Sequence, residues 1–80
     1  MSEPAKPNRL SADWAREQFG ILSPQTQIDV RTVLKVLREK NSIAATKKIR
    51  ALGVKREWPH WVLLALRDII GTAHSHKLEL

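Results

Sequence analysis

The chain has 80 residues, of which 42% are hydrophobic and 28% charged, and its formal net charge at neutral pH is +6. These values are typical of one small folded domain and argue against wholesale disorder. The sequence contains no cysteine, which excludes disulfides and thiolate metal sites.

The chain divides into three predicted segments. Residues 1–9 contain two prolines and no apolar period, so we expect a disordered arm there. Residues 10–72 are predicted to form a single helical domain, and residues 73–80 a flexible tail that frays. The longest uncharged apolar run, Trp61 to Leu66, is far shorter than the roughly 18 residues of a membrane span. The amino terminus also lacks an apolar signal region, so we expect a cytoplasmic protein with no membrane partner.

Two helices are predicted in the first half of the chain. Ser11 is a suitable N-cap for a short helix over about 12–19. Ser23 followed by Pro24 predicts a second start, since proline is favoured at the first helical position. Apolar residues then recur with helical spacing at Val30, Val33, Leu34 and Leu37.

Two more helices are predicted in the second half. Ser42 is a candidate cap for a helix over about 43–52, and Gly53 is placed where a helix usually ends. A fourth helix should begin near 58–60 and run to about Ile70, with Gly71 ending it. This helix is apolar on nearly all sides, which is typical of a buried helix. The pattern predicts an all-α bundle of about four short helices with a helix-turn-helix-like trihelical core.

The positive charge is concentrated between Arg31 and Arg56. This third of the chain holds nine basic residues and one acid, a local net charge of +8. Such asymmetry favours nucleic-acid binding, although basic residues can also solvate helix faces or contact acidic proteins or lipid headgroups. The predicted nucleic-acid contacts are Arg31, Lys35, Arg38, Lys40, Thr46, Lys47, Lys48, Arg50, Lys55 and Arg56.

Two pairings of helices fit a helix-turn-helix. In the first, the second helix leads through Asn41-Ser42 into the third, whose Thr46, Lys47 and Arg50 face the major groove. In the second, IRALGVKREWPHW resembles the turn region of helix-turn-helix repressors, with the turn at Ala51, Leu52, Gly53 and Val54. That resemblance implies DNA contacts from Lys55, Arg56, Glu57 and His60. The first pairing is favoured, because the apolar helix after Pro59 is unsuited to a groove.

The apolar segment around the two tryptophans is interpreted mainly as core. Trp58 and Trp61 are expected to pack inside, with Trp58 the more exposed of the two. A second hypothesis makes this helix a dimer seam or a docking face for a larger protein, through Trp58, Trp61, Leu64 and Ile69. The chain has no tyrosine and one phenylalanine, so a base-stacking platform is poorly supported and DNA is favoured over RNA.

Metal binding and catalysis have no supporting pattern. His74 and His76 lie in the predicted tail, and His60 is the third histidine. A closed zinc site needs four ligands, and no carboxylate stands at ligand spacing from these histidines. The sequence also lacks a glycine-rich phosphate loop and a nucleophile motif. We therefore expect no metal, no cofactor and no enzymatic activity.

Overall fold

Four α-helices follow one another along residues 11–80, the part of the chain that the computed structural model describes. They are α1 (Ala12–Gly20), α2 (Pro24–Glu39), α3 (Ser42–Arg56) and α4 (His60–Ser75). Residues 11–80 contain no strand, so the predicted all-α class is confirmed. The predicted arm at residues 1–9 lies outside the described residues.

The first three helices each begin at a side-chain cap. Ser11 and Ser23 accept hydrogen bonds from main-chain amides three residues further on, as the sequence predicts. The cap of α3 is Asn41 rather than Ser42, since the Asn41 side chain accepts a hydrogen bond of 2.8 Å from the Ala44 amide. Ser42 is therefore already helical, and the connection from α2 to α3 is only two residues long.

The core lies where α4 packs against the other three helices, and α2 also packs on α3. The buried apolar residues come from all four helices and from the segment after α4. They are Ala15, Phe19, Val30, Val33, Leu34, Ala45, Ile49, Leu52, Leu66, Ile69, Ile70, Ala73 and Leu78. Val30, Val33 and Leu34 thus occupy the buried face that their spacing predicts. Within residues 11–80, no helix combines the length and apolarity required to cross a bilayer.

The end of α3 differs from the prediction. Gly53 does not terminate α3, which continues to Arg56, and the left-handed residue is Glu57 with a φ of 58°. The Trp58 amide donates to the Gly53 carbonyl at 3.0 Å and closes the helix. A Cβ placed on Gly53 would lie 3.6 Å from the Trp58 ring. The helix therefore ends where Trp58 reaches its packing position, a contact that local composition does not reveal.

The end of α4 also differs. The helix passes through Gly71 and continues to Ser75, and the left-handed residue is Lys77 with a φ of 54°. The Leu78 amide donates to the Ala73 carbonyl at 2.9 Å, and the Leu78 side chain is only 4% exposed. Residues 73–80, predicted to fray, thus contribute two side chains to the core.

Candidate nucleic-acid interface

The outer side of α3 carries a row of exposed cations. Ala45, Ile49, Leu52 and Gly53 turn toward the core and fix the orientation of the helix. The rest of the helix surface then presents four exposed basic residues, with Lys47 and Arg50 on the outer side and Lys48 and Lys55 on its flank. We call these the α3 cation face: Lys47, Lys48, Arg50 and Lys55. All four are among the predicted nucleic-acid contacts.

The side chains of the α3 cation face form no ion pairs within residues 11–80. The helix Ser42–Arg56 contains five basic residues and no acid. Exposed cations on one helix face therefore produce a continuous positive potential.

Arg56 has a different environment although it belongs to the same helix. Its Nε lies 3.0 Å from Asp29 Oδ2 and its Nη2 lies 3.2 Å from Asp29 Oδ1. The Asp29 side chain is only 5% exposed and also accepts a hydrogen bond from Gln25. The hydrogen bonding of Arg56 to the Asp29 carboxylate, which accepts, together with the Asp29 charge, raises the pKa of Arg56 above the usual value. Arg56, predicted to contact phosphate, thus joins α3 to α2.

The arginines of α2 are engaged by the carboxy-terminal segment. Arg31 Nε donates to the Leu80 carbonyl at 2.7 Å, and its guanidinium lies 5.1 Å from the centroid of the Phe19 ring. Arg38 donates to the Leu78 carbonyl. These two predicted contacts therefore hold the end of the described chain against α2.

The remaining two predicted lysines lie away from the α3 cation face. Lys35 lines a pocket whose wall also includes Glu39 and Glu79, so acidic side chains lie near its charge. Lys40 is exposed in the short connection between α2 and α3. The basic residues between Arg31 and Arg56 are thus divided between the α3 cation face, of which Arg50 shares a groove with an acid, and basic residues of α2 that have hydrogen-bond partners or acidic neighbours.

The two predicted helix-turn-helix pairings agree with the structure to different extents. In the first, Thr46, Lys47 and Arg50 line one surface pocket. Lys47 and Arg50 are exposed, whereas Thr46 is half-buried and also lines a cavity of about 130 Å³ with Arg67 and Ile70. In the second, the predicted turn at 51–54 is wrong, because those residues are helical. The turn between α3 and α4 lies at 57–59, where the left-handed Glu57 precedes Trp58 and Pro59.

A groove separates the carboxyl end of α3 from the amino end of α4. It has a volume of about 650 Å³, and its lining is largely apolar, with Arg50, Gly53, Val54, Glu57, Trp58, His60 and Leu63 as its wall residues. Arg50 belongs both to this groove and to the α3 cation face. The groove was not predicted, because the third helix was expected to end at Gly53 and so Val54 was not placed on one helix with Arg50. The closeness of Gly53 to Trp58 in the sequence was the signal that could have indicated this groove.

The four residues predicted as an interaction surface do not share one environment. Ile69 is 3% exposed and packs in the core, so its assignment to a surface is wrong. Trp61 was expected to pack inside but is 72% exposed, while Trp58 is half-buried. Leu64 is 42% exposed and follows Trp61 by three residues on α4. Trp61 and Leu64 therefore form a small exposed apolar patch.

No set of three or more histidine or acidic side chains within residues 11–80 is arranged to hold a metal ion.

Comparison of the chain with protein-family models, curated proteins and solved structures found no match. The α3 cation face and the groove beside it are therefore the candidate functional features of residues 11–80.

Proposed function

We propose that this protein binds nucleic acid by placing the α3 cation face against the phosphate backbone, with duplex DNA as the favoured target. The observation that supports the proposal is the row of four exposed cations on a 15-residue helix that has no acid. A polyanion is the partner that such a face attracts most strongly. We propose a non-catalytic role in the cytoplasm, as a helix-turn-helix-like regulator or an accessory factor.

Two residues of the face are the best candidates for contacts near the bases. Lys47 and Arg50 lie one turn apart on the exposed side of α3, so both reach the same side of a bound duplex. Arginine can donate two hydrogen bonds to guanine in the major groove. Lys48 and Lys55, on the flank of the helix, are then assigned to phosphates.

The salt dependence of binding follows from the number of cations. Each phosphate contact contributes a slope of about −0.9 to the logarithm of the binding constant against the logarithm of salt concentration. Four contacts correspond to a slope of about −3.5, or a loss of roughly 100-fold between about 50 and 200 mM salt. Fluorescence anisotropy of a labelled duplex, titrated at both concentrations, measures this loss.

The face itself is tested by charge reversal. The double variant Lys47→Glu, Arg50→Glu should remove binding, because it places two acids at the centre of the face. The matched control is Arg16→Glu, Lys77→Glu, which changes the net charge equally at exposed positions away from α3. If the folded double variant binds DNA as tightly as the parent, the α3 cation face is not the binding surface.

A second candidate function is docking of a protein partner, or of a second copy, through Trp61 and Leu64. The exposure of 72% for Trp61 favours it, since large aromatic side chains are enriched at the centres of interfaces. Apolar association weakens little as salt rises, whereas phosphate binding weakens steeply. Light scattering coupled to gel filtration, on the parent and on Trp61→Ala, separates the two candidates.

A further inference from the structure

The groove between α3 and α4 differs chemically from the α3 cation face that it adjoins. Val54, Trp58 and Leu63 give it apolar walls, and Glu57 places a carboxylate on its rim. A phosphate would lose hydration against such walls and would be repelled by Glu57. The groove is therefore suited to an uncharged, flat, largely apolar group that lies beside a polyanion.

We infer that the groove accepts an unpaired base of the nucleic acid whose backbone lies on the α3 cation face. This inference rests on the proposed function and names its substrate class: nucleic acid with a locally unpaired segment. The positive charge of the α3 cation face, complementary to phosphate, determines which ligand reaches the groove. Arg50 belongs to both the face and the groove, so a nucleic acid whose phosphates bind the face lies next to the groove. A base next to a bound phosphate is the group that this adjacency brings to the groove.

The wall residues provide the contacts that an unpaired base uses. Trp58 is half-buried, so its ring is held in place by the protein while it also borders the groove. Stacking of a base on a fixed aromatic ring tolerates any base, because every base has an aromatic face. Arg50 donates to ring nitrogens and carbonyls, and Glu57 accepts from exocyclic amino groups. His60, exposed at the start of α4, supplies a second ring.

The backbone around the groove is fixed by the helix ends. The Trp58 amide is held by the Gly53 carbonyl, and Leu63 lies close enough that a Cβ on Gly53 would be 3.4 Å from its Cδ1 atom. Trp58 and Leu63 therefore both pack closely on α3 at Gly53, within ordinary van der Waals distance of the position of a Cβ. A base that enters meets preformed walls, which lowers the cost of ordering on binding.

The test compares two labelled duplexes of the same length, one fully paired and one with a short central bulge of unpaired bases. The parent should bind the bulged duplex roughly tenfold more tightly, the effect of stacking about one base. Trp58→Leu keeps an apolar side chain but loses the ring, so it should abolish this preference and leave binding to the paired duplex unchanged. His60→Ala, at an exposed position, should reduce the preference without affecting the fold. The matched control for His60→Ala is His74→Ala, which removes an exposed ring outside the groove and should change neither affinity.

The outcomes separate the inference from the proposed function. Equal affinity of the parent for the two duplexes overturns the base site while the α3 cation face stands. A preference that survives in folded Trp58→Leu and in His60→Ala, or that His74→Ala removes, also overturns it. Failure of Lys47→Glu, Lys48→Glu to weaken binding to the paired duplex contradicts the proposed function itself, since Arg50 and the groove are intact in that variant. Absence of binding to either duplex overturns both.

Discussion

Arg56 at the end of α3 donates two hydrogen bonds to Asp29 in α2, at 3.0 and 3.2 Å, across 27 residues of sequence. Asp29 raises the pKa of Arg56, chiefly through the hydrogen bond; desolvation opposes this rise and the charge of Asp29 adds to it. A cation with a raised pKa stabilises the folded state fully below its ordinary pKa, and this stabilisation is lost only as the pH rises through the raised value. For an arginine that range is strongly alkaline, so the contribution is constant at neutral pH.

Removal of the Asp29 carboxylate should destabilise the fold. Asp29→Ala removes the partner of Arg56 and of Gln25, and loss of hydrogen bonds to a charged group costs about 2 kcal/mol. Urea unfolding followed by circular dichroism measures the free energy of unfolding. Asp13→Ala is the matched control, since its ion pair with Arg16 at 3.6 Å is exposed and worth less than about 1 kcal/mol. Equal losses in the two variants would show that burial adds nothing to the Asp29 pair.

Gly71→Ala should stabilise the protein. Gly71 lies inside α4, and a Cβ there would have no neighbour within 4 Å. Alanine in a helix interior is more favourable than glycine by about 0.8–1 kcal/mol, so the free energy of unfolding should rise by nearly that amount. Gly20→Ala, at the last residue of α1, should give a smaller gain because helix ends gain less from propensity. A loss of stability in Gly71→Ala would place the helix end at Gly71 after all.

Glu57→Gly should also stabilise the protein, because here glycine is the residue that suits the backbone conformation. Glu57 adopts a φ of 58°, in the left-handed region that costs a residue with a Cβ roughly 1 kcal/mol or more. Glycine adopts this conformation freely, and its greater flexibility in the unfolded chain offsets part of the gain. We expect a rise of about 0.5–1 kcal/mol in thermal or urea unfolding. Glu57→Ala controls for the loss of the carboxylate, and a gain of equal size there would contradict the conformational explanation.

Gly71 and Glu57 show which helix boundaries local sequence cannot predict. The helix starts were predictable because Ser11, Ser23 and Pro24 act on amides within three residues of themselves. The ends of α3 and α4 were not, because each helix stops where Trp58 or Leu78 reaches a packing site. Both glycines that suggested a stop are helical interior residues, and the left-handed positions carry side chains instead.

The candidate site shows a similar division. Clustering of the cations was visible in the sequence, and so was their helical spacing. The sequence does not reveal which cations form hydrogen bonds within the protein, because the partners of Arg31, Arg38 and Arg56 lie 49, 40 and 27 residues away. The groove beside Trp58 depended on the same long-range information, since its walls come from the ends of two helices.

Leu78→Ala tests whether the segment after α4 belongs to the core. Leu78 is 4% exposed, and removal of a buried leucine side chain costs about 2–5 kcal/mol. Leu64→Ala is the control with identical chemistry at a residue that is 42% exposed, so its cost should be smaller by at least about 1 kcal/mol. Urea unfolding of both variants gives the comparison. A negligible effect at Leu78 would show that the segment does not pack in solution.

Lys55 and Arg56 are adjacent in sequence, but the structure places them in different environments. Lys55 is exposed on the α3 cation face, whereas Arg56 is bound to Asp29. Lys55→Ala should therefore lower the magnitude of the salt slope for DNA binding by about 1 and leave the melting temperature unchanged. Arg56→Ala should lower the melting temperature and leave the slope unchanged, because its charge is already compensated. Anisotropy titrations over a range of salt, with thermal melts of the same preparations, provide both readouts. A folded Arg56→Ala variant with a reduced slope would return Arg56 to the binding surface, and the continuous basic band of the sequence would then be the better description of the site.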